Sequence, residues 1–590
     1  MMDKTVPAAF TRAALHDAYA QGLSPAAVLT EVYRRIDALA DPGIFLHLAA
    51  HEHMLAQANN LPPFDPEAQP LWGLPCAIKD NIDVAGMPTT CACPAFAYCA
   101  SQDAAAVQRL RAAGALILGK TNLDQFATGL VGVRTPYPVP RNAIDDRLVP
   151  GGSSSGSAIA VARGLLTFTL GTDTAGSGRV PAALNGIVGW KPSCGSVSTR
   201  GVVPACRSLD CVSVFAGNVD DAWQVYASIA AYDADDPFAR RRPALGWHAL
   251  PAGFTVGVPR EDSRRFFGDP VQAAAFARDL DHLSALGADL CEIDFTPFYE
   301  VADLLYGGAW LAERLAAIVP FADARPGALH PVTAAIIEPA RALSAQDAFD
   351  DLYRLRALTR LVEQRMAACD VLAVPSIPRP VTLEEIAVDP VRPNRELGTY
   401  TNFANLLDLC AVTLPSGSRA DGLPGSLTLL ARGGEDGRLL PLARALTGAP
   451  APSPQKTRGD AHELVVVGAH LSGMPLNHQL TARGGRLLRA VRTQACYRLY
   501  ALPGAPPRPG LMRVAEGTGH AIETEVWALS PAAFGDFVAS IGAPLGFGRV
   551  RLEDGSAPTG FIVEPEGIID AEEISHFGGW RAYRSKTAAS

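Results

Sequence analysis

Three short segments carry side chains whose types and spacing suit acyl-transfer chemistry. Leu74-Pro75-Cys76-Ala77-Ile78-Lys79-Asp80-Asn81 is a short apolar run with a lysine at its end. Gly151-Gly152-Ser153-Ser154-Ser155-Gly156-Ser157 leads directly into Ala158–Arg163, a good helix former. Its serines therefore sit at a helix N-terminus, where backbone N–H groups lack partners. Gly171-Thr172-Asp173-Thr174-Ala175-Gly176-Ser177-Gly178-Arg179 follows the apolar run Leu165–Leu170. It reads as a strand ending in a tight turn that presents a hydroxyl beside several free N–H groups. A serine becomes a useful nucleophile when a neighbouring base takes its proton, and a buried lysine that has lost its charge is such a base.

Plainer readings compete with this one. An isolated Gly/Ser run is usually a linker, but this one opens a helix. A lysine at a strand end is usually a solvated charge. This chain, however, has 45 Arg and six Lys, so surface charge alone predicts Arg at position 79. Arg cannot readily lose its proton, whereas Lys can. A phosphate-cradling loop would need a Lys-Ser/Thr pair that is missing. Gly152-Ser153-Ser154-Ser155-Gly156 also satisfies the G-x-S-x-G elbow with Ser154 as nucleophile, but His248, His282 and His330 lie in no matching motif. Cys91-x-Cys93 with Cys99 lacks the second pair that a zinc site wants.

The elements that must position these residues follow from periodicity. Residues 11–39 read as two helices, the second capped by Ser24 with Pro25 in its first turn. From about 73 to 217, apolar runs alternate with Ala-rich helical stretches (Ala104–Ala113, Ser157–Arg163), which indicates an α/β layer architecture. Helical periodicity marks 269–288, 298–318 and 345–368, and Asp370–Pro375 reads as a buried strand. The Pro-rich stretch Gly448–Gly459 looks like an exposed linker. The expected division is thus 1–445, a linker over 446–461, and a smaller α/β or barrel-like unit over 462–590, with strands at 463–467, 493–502 and 519–529.

A formal net charge of −9 without a long basic run argues against nucleic acid or an anionic membrane as the main partner, leaving a small molecule. No stretch of about 18 uninterrupted apolar residues is present. Eleven cysteines without framework spacing, and an N-terminus without signal-peptide organisation, lead to an expected cytoplasmic location.

Taken together, the three segments resemble the amidase signature family over roughly residues 10–445. Lys79, Gly-Gly-Ser-Ser-x-Gly at 151–156 and Gly-Thr-Asp-x-x-Gly-Ser at 171–177 fall in the family order. The resemblance implies an α/β fold with a mixed, twisted sheet covered by helices, and no metal or organic cofactor. It makes Ser177 the nucleophile, Ser153 a relaying serine with a cis peptide bond, and Lys79 the base. The consecutive N–H groups of Thr174, Ala175, Gly176 and Ser177 form a donor nest suited to an oxyanion. Asp173 and Arg179 are expected to hold the loop, and Ser154 and Ser155 to be structural.

Further segments are similar to the allophanate-hydrolase branch of that family. They are Arg200–Cys211, Val465–His478 and His576–Trp580. Tyr306 and Arg314, eight residues apart on a predicted helix, resemble the tyrosine and arginine with which that branch holds the substrate carboxylate. Glu525-Val526-Trp527 is similar to γ-glutamyl-cyclotransferase-like domains, although the catalytic acid of that group has no counterpart. His470 and His478 either handle the product of the first unit or serve packing and solvation.

The activity implied is hydrolysis of allophanate (urea-1-carboxylate) through a seryl acyl-enzyme. It would release ammonia and N-carboxycarbamate, which ends as carbon dioxide and a second ammonia. The implied state is a homo-oligomer, specifically a homodimer, working beside other enzymes of urea or cyanurate degradation. The alternative is a broad-specificity or glutamine-type amidase whose C-terminal unit is an interaction module.

Overall fold

The computed structural model of the chain describes residues 5–241, 254–449, 461–504 and 506–588. Most of the expected linker, 450–460, and His248 lie outside the described residues. Those described fall into two units.

In the first unit an eleven-stranded sheet forms the centre. In chain order its strands are β1 (Phe45–Leu48), β2 (Pro75–Lys79), β3 (Leu116–Thr121), β4 (Phe168–Asp173), β5 (Val188–Lys191), β6 (Cys211–Ala216), β7 (Thr255–Pro259), β8 (Asp289–Ile293), β9 (Val371–Pro375), β10 (Leu409–Ser418) and β11 (Pro424–Arg432). They lie in the order β1-β3-β2-β4-β6-β5-β10-β11-β9-β7-β8. The sheet is mixed: β2 runs parallel to β3 and β4, while β4 and β6 are antiparallel. Every residue of β2, β3 and β4 is buried. Both sheet faces are covered there, which is why these strands read as continuous apolar runs rather than alternating ones.

Several helices begin where the sequence supplies a cap. Ser24 Oγ accepts the Ala27 N–H and Pro25 opens the helix Pro25–Leu39. Asp269 and Ser344 cap Pro270–Ala285 and Ala345–Met366 in the same way.

Two expectations need correction. The strand expected at Leu165–Leu170 starts at Phe168 and runs on to Asp173. Gly164, in the left-handed region, turns the chain just before it, and Gly171, Thr172 and Asp173 then pair with Ser213, Val212 and Cys211. The Gly-Thr-Asp triplet is thus strand, and only Thr174 onward is turn. The continuous helical pattern over 298–318 is broken into Thr296–Gly307 and Trp310–Ala324. Gly308 is extended there, and the Asp351 carboxylate takes the Ala309 N–H at 2.7 Å.

The second unit is a smaller α/β assembly. Its five-stranded sheet is built from β12 (His462–Val466), β13 (Arg486–Arg492), β16 (Glu523–Leu529), β17 (Leu545–Arg549) and β18 (Thr559–Val563), in the order β13-β16-β12-β18-β17. A three-stranded sheet joins β14 (Tyr497–Leu502), β15 (Arg508–Arg513) and β19 (Glu572–Glu573). Three of these strands match expected ones within a few residues. Among the described residues no helix is long and apolar enough to cross a membrane.

Candidate active site

Lys79 is the last residue of β2 and has no exposed surface. Its Nζ donates to Ser153 Oγ at 2.7 Å and to Thr172 Oγ1 at 2.8 Å, and among the described residues no carboxylate is bonded to it. Burial pulls its pKa from the usual 10.5 down to about 7, although Asp124, Asp173, Asp210 and Cys91 push the other way. An amine in that range is neutral often enough near pH 7 to accept a proton.

Ser153 is fully buried, and the Gly152–Ser153 peptide bond is cis. Asp124 fixes this bend from outside. Its backbone N–H donates to the Ser153 carbonyl at 3.0 Å, and its carboxylate accepts the N–H groups of Gly132 and Arg134, both at 2.9 Å. A Cβ at position 152 would stand 2.1 Å from the Asp124 carboxylate, so the backbone comes this close only because Gly152 lacks one. Ser154 bonds to the Thr172 carbonyl at 3.2 Å and Ser157 to the Leu170 carbonyl at 3.1 Å, both fastening the helix Ser155–Ala162 to β4. Among the described residues no histidine bonds to Ser154, so the hydrolase-elbow reading has no base.

The turn carrying Ser177 is held at both ends. Arg179 forks onto Asp173 with two bonds of 2.9 Å, and both residues have no exposed surface. Bidentate pairing of this kind fixes orientation as well as distance. Asp173 also accepts the Gly178 N–H at 3.0 Å, and Asn405 donates to the Asp173 carbonyl at 2.8 Å. Thr174 Oγ1 donates to Asp210, which in turn takes the N–H groups of Ala205 and Cys206. The Arg200–Cys211 segment is thereby tied to the turn. Gly176 adopts φ +141°, and a Cβ there would meet Thr401 Oγ1 at 2.4 Å.

Ser177 is 2% exposed, and among the described residues its hydroxyl makes no hydrogen bond. The N–H groups of Ala175, Gly176 and Ser177 have no protein acceptor among those residues either. The Lys79–Ser153 link is formed, and a bare hydroxyl stands with unspent donors on the neighbouring turn.

Tyr306 and Arg314 do not share a helix, as the break at Gly308 shows, yet they meet. Arg314 Nη2 lies 3.5 Å from the Tyr306 hydroxyl, and the guanidinium carbon sits 5.0 Å from the ring centre. Arg314 is 2% exposed, its Nη1 reaches Thr128 Oγ1 at 3.5 Å, and its buried Nε has no acceptor. Among the described residues this buried cation has two long hydrogen bonds and no carboxylate bonded to it. Tyr306 also lines a cavity of about 750 Å³ with Tyr299, Asn394 and Asn402.

Sequence reasoning missed Thr172 as a partner of Lys79, Asp124 as the brace of Ser153, and Asp210 as the tie of Thr174. Thr172 and Asp210 lay inside recognised segments, and Asp124 acts through contacts that no spacing announces. Among the described residues no group of three or more His, Cys, Asp or Glu is placed to hold a metal ion.

In the second unit His470 is a core histidine. It stacks on Phe561 with an interplanar angle of 13°, meets Phe537 edge-on and bonds to Gln479 at 3.0 Å. Burial lowers its pKa. His478 is exposed and bonds to the Pro475 carbonyl at 2.9 Å. The buried Glu525 is a stronger anchor: it takes the Ser472 N–H and hydroxyl, the Trp527 indole and Arg581.

The family model described as Amidase matches residues 27–440, most of the chain. The chain belongs to the amidase family. A second model, described as Allophanate hydrolase C-terminal domain, matches residues 462–585. Urea amidolyase of Saccharomyces cerevisiae is 42% identical over 569 residues, covering 91% of this chain and 31% of its own length. The chain therefore spans about a third of that curated relative. The solved structure of Kluyveromyces lactis allophanate hydrolase superposes with a TM-score of 0.79 at 39% identity, covering 98% of this chain and 99% of that one. The crystal structure of K. lactis urea amidolyase, also 39% identical, superposes with a TM-score of 0.80 and covers 98% of this chain and 37% of that one. The fold is that of an amidase with an allophanate-hydrolase type of C-terminal unit, as the sequence led one to expect.

Proposed function

We propose that this protein hydrolyses allophanate through an acyl-enzyme on Ser177. The observation that carries the substrate is Arg314, a buried guanidinium with no carboxylate bonded to it among the described residues, next to the Tyr306 hydroxyl. Asp210 and Glu313 act on this charge only at longer range, and a small substrate carboxylate supplies the direct partner that a buried guanidinium favours. Likeness to the K. lactis enzyme over nearly the whole of both chains supports the same reading.

In this mechanism neutral Lys79 takes the Ser153 proton as Ser153 takes that of Ser177, so Ser177 Oγ can attack the terminal amide carbonyl. The N–H groups of Thr174, Ala175, Gly176 and Ser177 receive the oxyanion; such donors are each worth ~3 kcal/mol or more in comparable hydrolases. The proton returns along the same path to the leaving ammonia, and water then releases N-carboxycarbamate, which decays to carbon dioxide and a second ammonia. No cofactor takes part.

We also take the protein to be a cytoplasmic homodimer acting beside other enzymes of urea or cyanurate breakdown, with catalytic residues 1–445 joined through 446–461 to 462–590. Eleven cysteines, none of them in a disulfide, fit a reducing compartment. Ammonia yield from allophanate, compared with that from neutral amides and glutamine, tests the substrate assignment against a general or glutamine-type amidase.

A further inference from the structure

Two thiols next to the Ser177 loop are placed for chemistry of their own. Cys194 follows β5, and Cys211 opens β6, the antiparallel neighbour of β5. The two sulfurs lie 3.4 Å apart, and both residues are buried. Lys191 has no exposed surface and is near enough to interact electrostatically with both thiols. Its Nζ donates to the carbonyls of Pro192 at 2.8 Å and Leu409 at 2.6 Å, and among the described residues no carboxylate is bonded to it. A buried cation facing two thiols favours one of them as thiolate.

The pair is asymmetric. The hydrogen bond from Cys211 lowers the Cys194 pKa to about 7, burial opposes this, and Lys191 adds to it. The same hydrogen bond, followed by burial, pushes Cys211 up. One sulfur is thus suited to attack and the other to resolve. Cys194, 5% exposed, also lines a cleft of about 230 Å³ with Gly195, Arg207, Asp236 and Arg240, the route by which a small oxidant would reach it.

We propose that Cys194 and Cys211 are a peroxide-sensitive dithiol whose closure to a disulfide disturbs the loop that carries Ser177. The Cys194 thiolate attacks one oxygen of hydrogen peroxide, the O–O bond breaks, and Cys194 sulfenic acid and hydroxide form. The Cys211 sulfur, giving up its proton, attacks the sulfenic sulfur and expels a second hydroxide. The dithiol loses two electrons, peroxide gains two, and the protons complete two waters. The sulfurs must close from 3.4 Å to about 2.05 Å. Cys211 adjoins Asp210, which holds Thr174, so the movement is passed to the donor turn.

The test treats the full chain with hydrogen peroxide, maps cysteine-containing peptides by mass and follows ammonia release. The expected product is a Cys194–Cys211 link lighter by two hydrogens, with turnover falling roughly tenfold or more, since one oxyanion donor is worth ~10²–10³ in kcat. Dithiothreitol should restore both. Cys194→Ser should keep its unoxidised turnover and lose the sensitivity, and Cys211→Ser should accumulate a dimedone-reactive Cys194. Absence of the link, or equal peroxide loss in wild type and Cys194→Ser, overturns the proposal. A link that leaves turnover unchanged overturns the coupling to Ser177. Only the turnover arm rests on the allophanate reading; the peptide map stands without it.

Discussion

Lys79 Nζ lies 2.7 Å from Ser153 Oγ, in a pocket where no carboxylate among the described residues bonds to the amine. A lysine held this way keeps a low pKa because burial penalises its charge and the three aspartates around it only partly compensate.

The pH dependence of kcat/KM follows. In the proposed mechanism the base is neutral Lys79, so the rate should rise with pH and level off above an apparent pKa near 7. A pH profile on the purified chain checks it, and a flat profile from pH 5.5 to 9 would remove Lys79 as the base.

Stability should carry the same signature. The Lys79 pKa is about 7 folded and near 10.5 unfolded, so between those values the unfolded chain binds more protons and stability from this residue rises with pH. In Lys79→Met that slope is gone. The Tm of the variant relative to wild type should therefore be highest near pH 7 and decline toward pH 10, as read by thermal scans. A difference that does not change with pH would contradict the buried neutral amine.

Removing the Arg314 guanidinium should act on charge rather than on turnover in general. Charge-assisted hydrogen bonds are worth about 1.5–3 kcal/mol, so Arg314→Ala should lose roughly 10- to 150-fold in kcat/KM on allophanate and much less on a neutral amide. Equal losses on both substrates would take Arg314 out of the carboxylate role.

Asp124 braces the Ser153 bend and is first among the groups that raise the Lys79 pKa. Asp124→Asn keeps the shape but turns an NH₂ toward backbone donors, a mismatch costing about 1–3 kcal/mol. The acid limb of the pH profile should also move down. An unchanged limb in a folded variant would show that Asp124 acts on geometry alone.

Much of this site was legible in the sequence because its parts are short and contiguous. Lys79 at a strand end, the serines before Ala158 and the turn after Asp173 declared themselves by type and spacing. The Arg excess singled out Lys79, and Lys120 and Lys191 prove to be buried as well. What escaped depended on tertiary contact. The break between Tyr306 and Arg314 comes from Gly308 and from Asp351, a residue of a later helix. The start of β4 is set by pairing with β6, Asp124 works through the backbone N–H groups of Gly132 and Arg134, and Asp210 works through the hydroxyl of Thr174 on a different loop.

The most direct measurement is ammonia released per allophanate consumed by the purified full chain, run beside Ser177→Ala. Two ammonia per allophanate from wild type and none above background from the variant are expected. Ammonia from allophanate with Ser177→Ala at the wild-type rate, or wild-type activity on glutamine or simple amides with none on allophanate, would contradict the assignment.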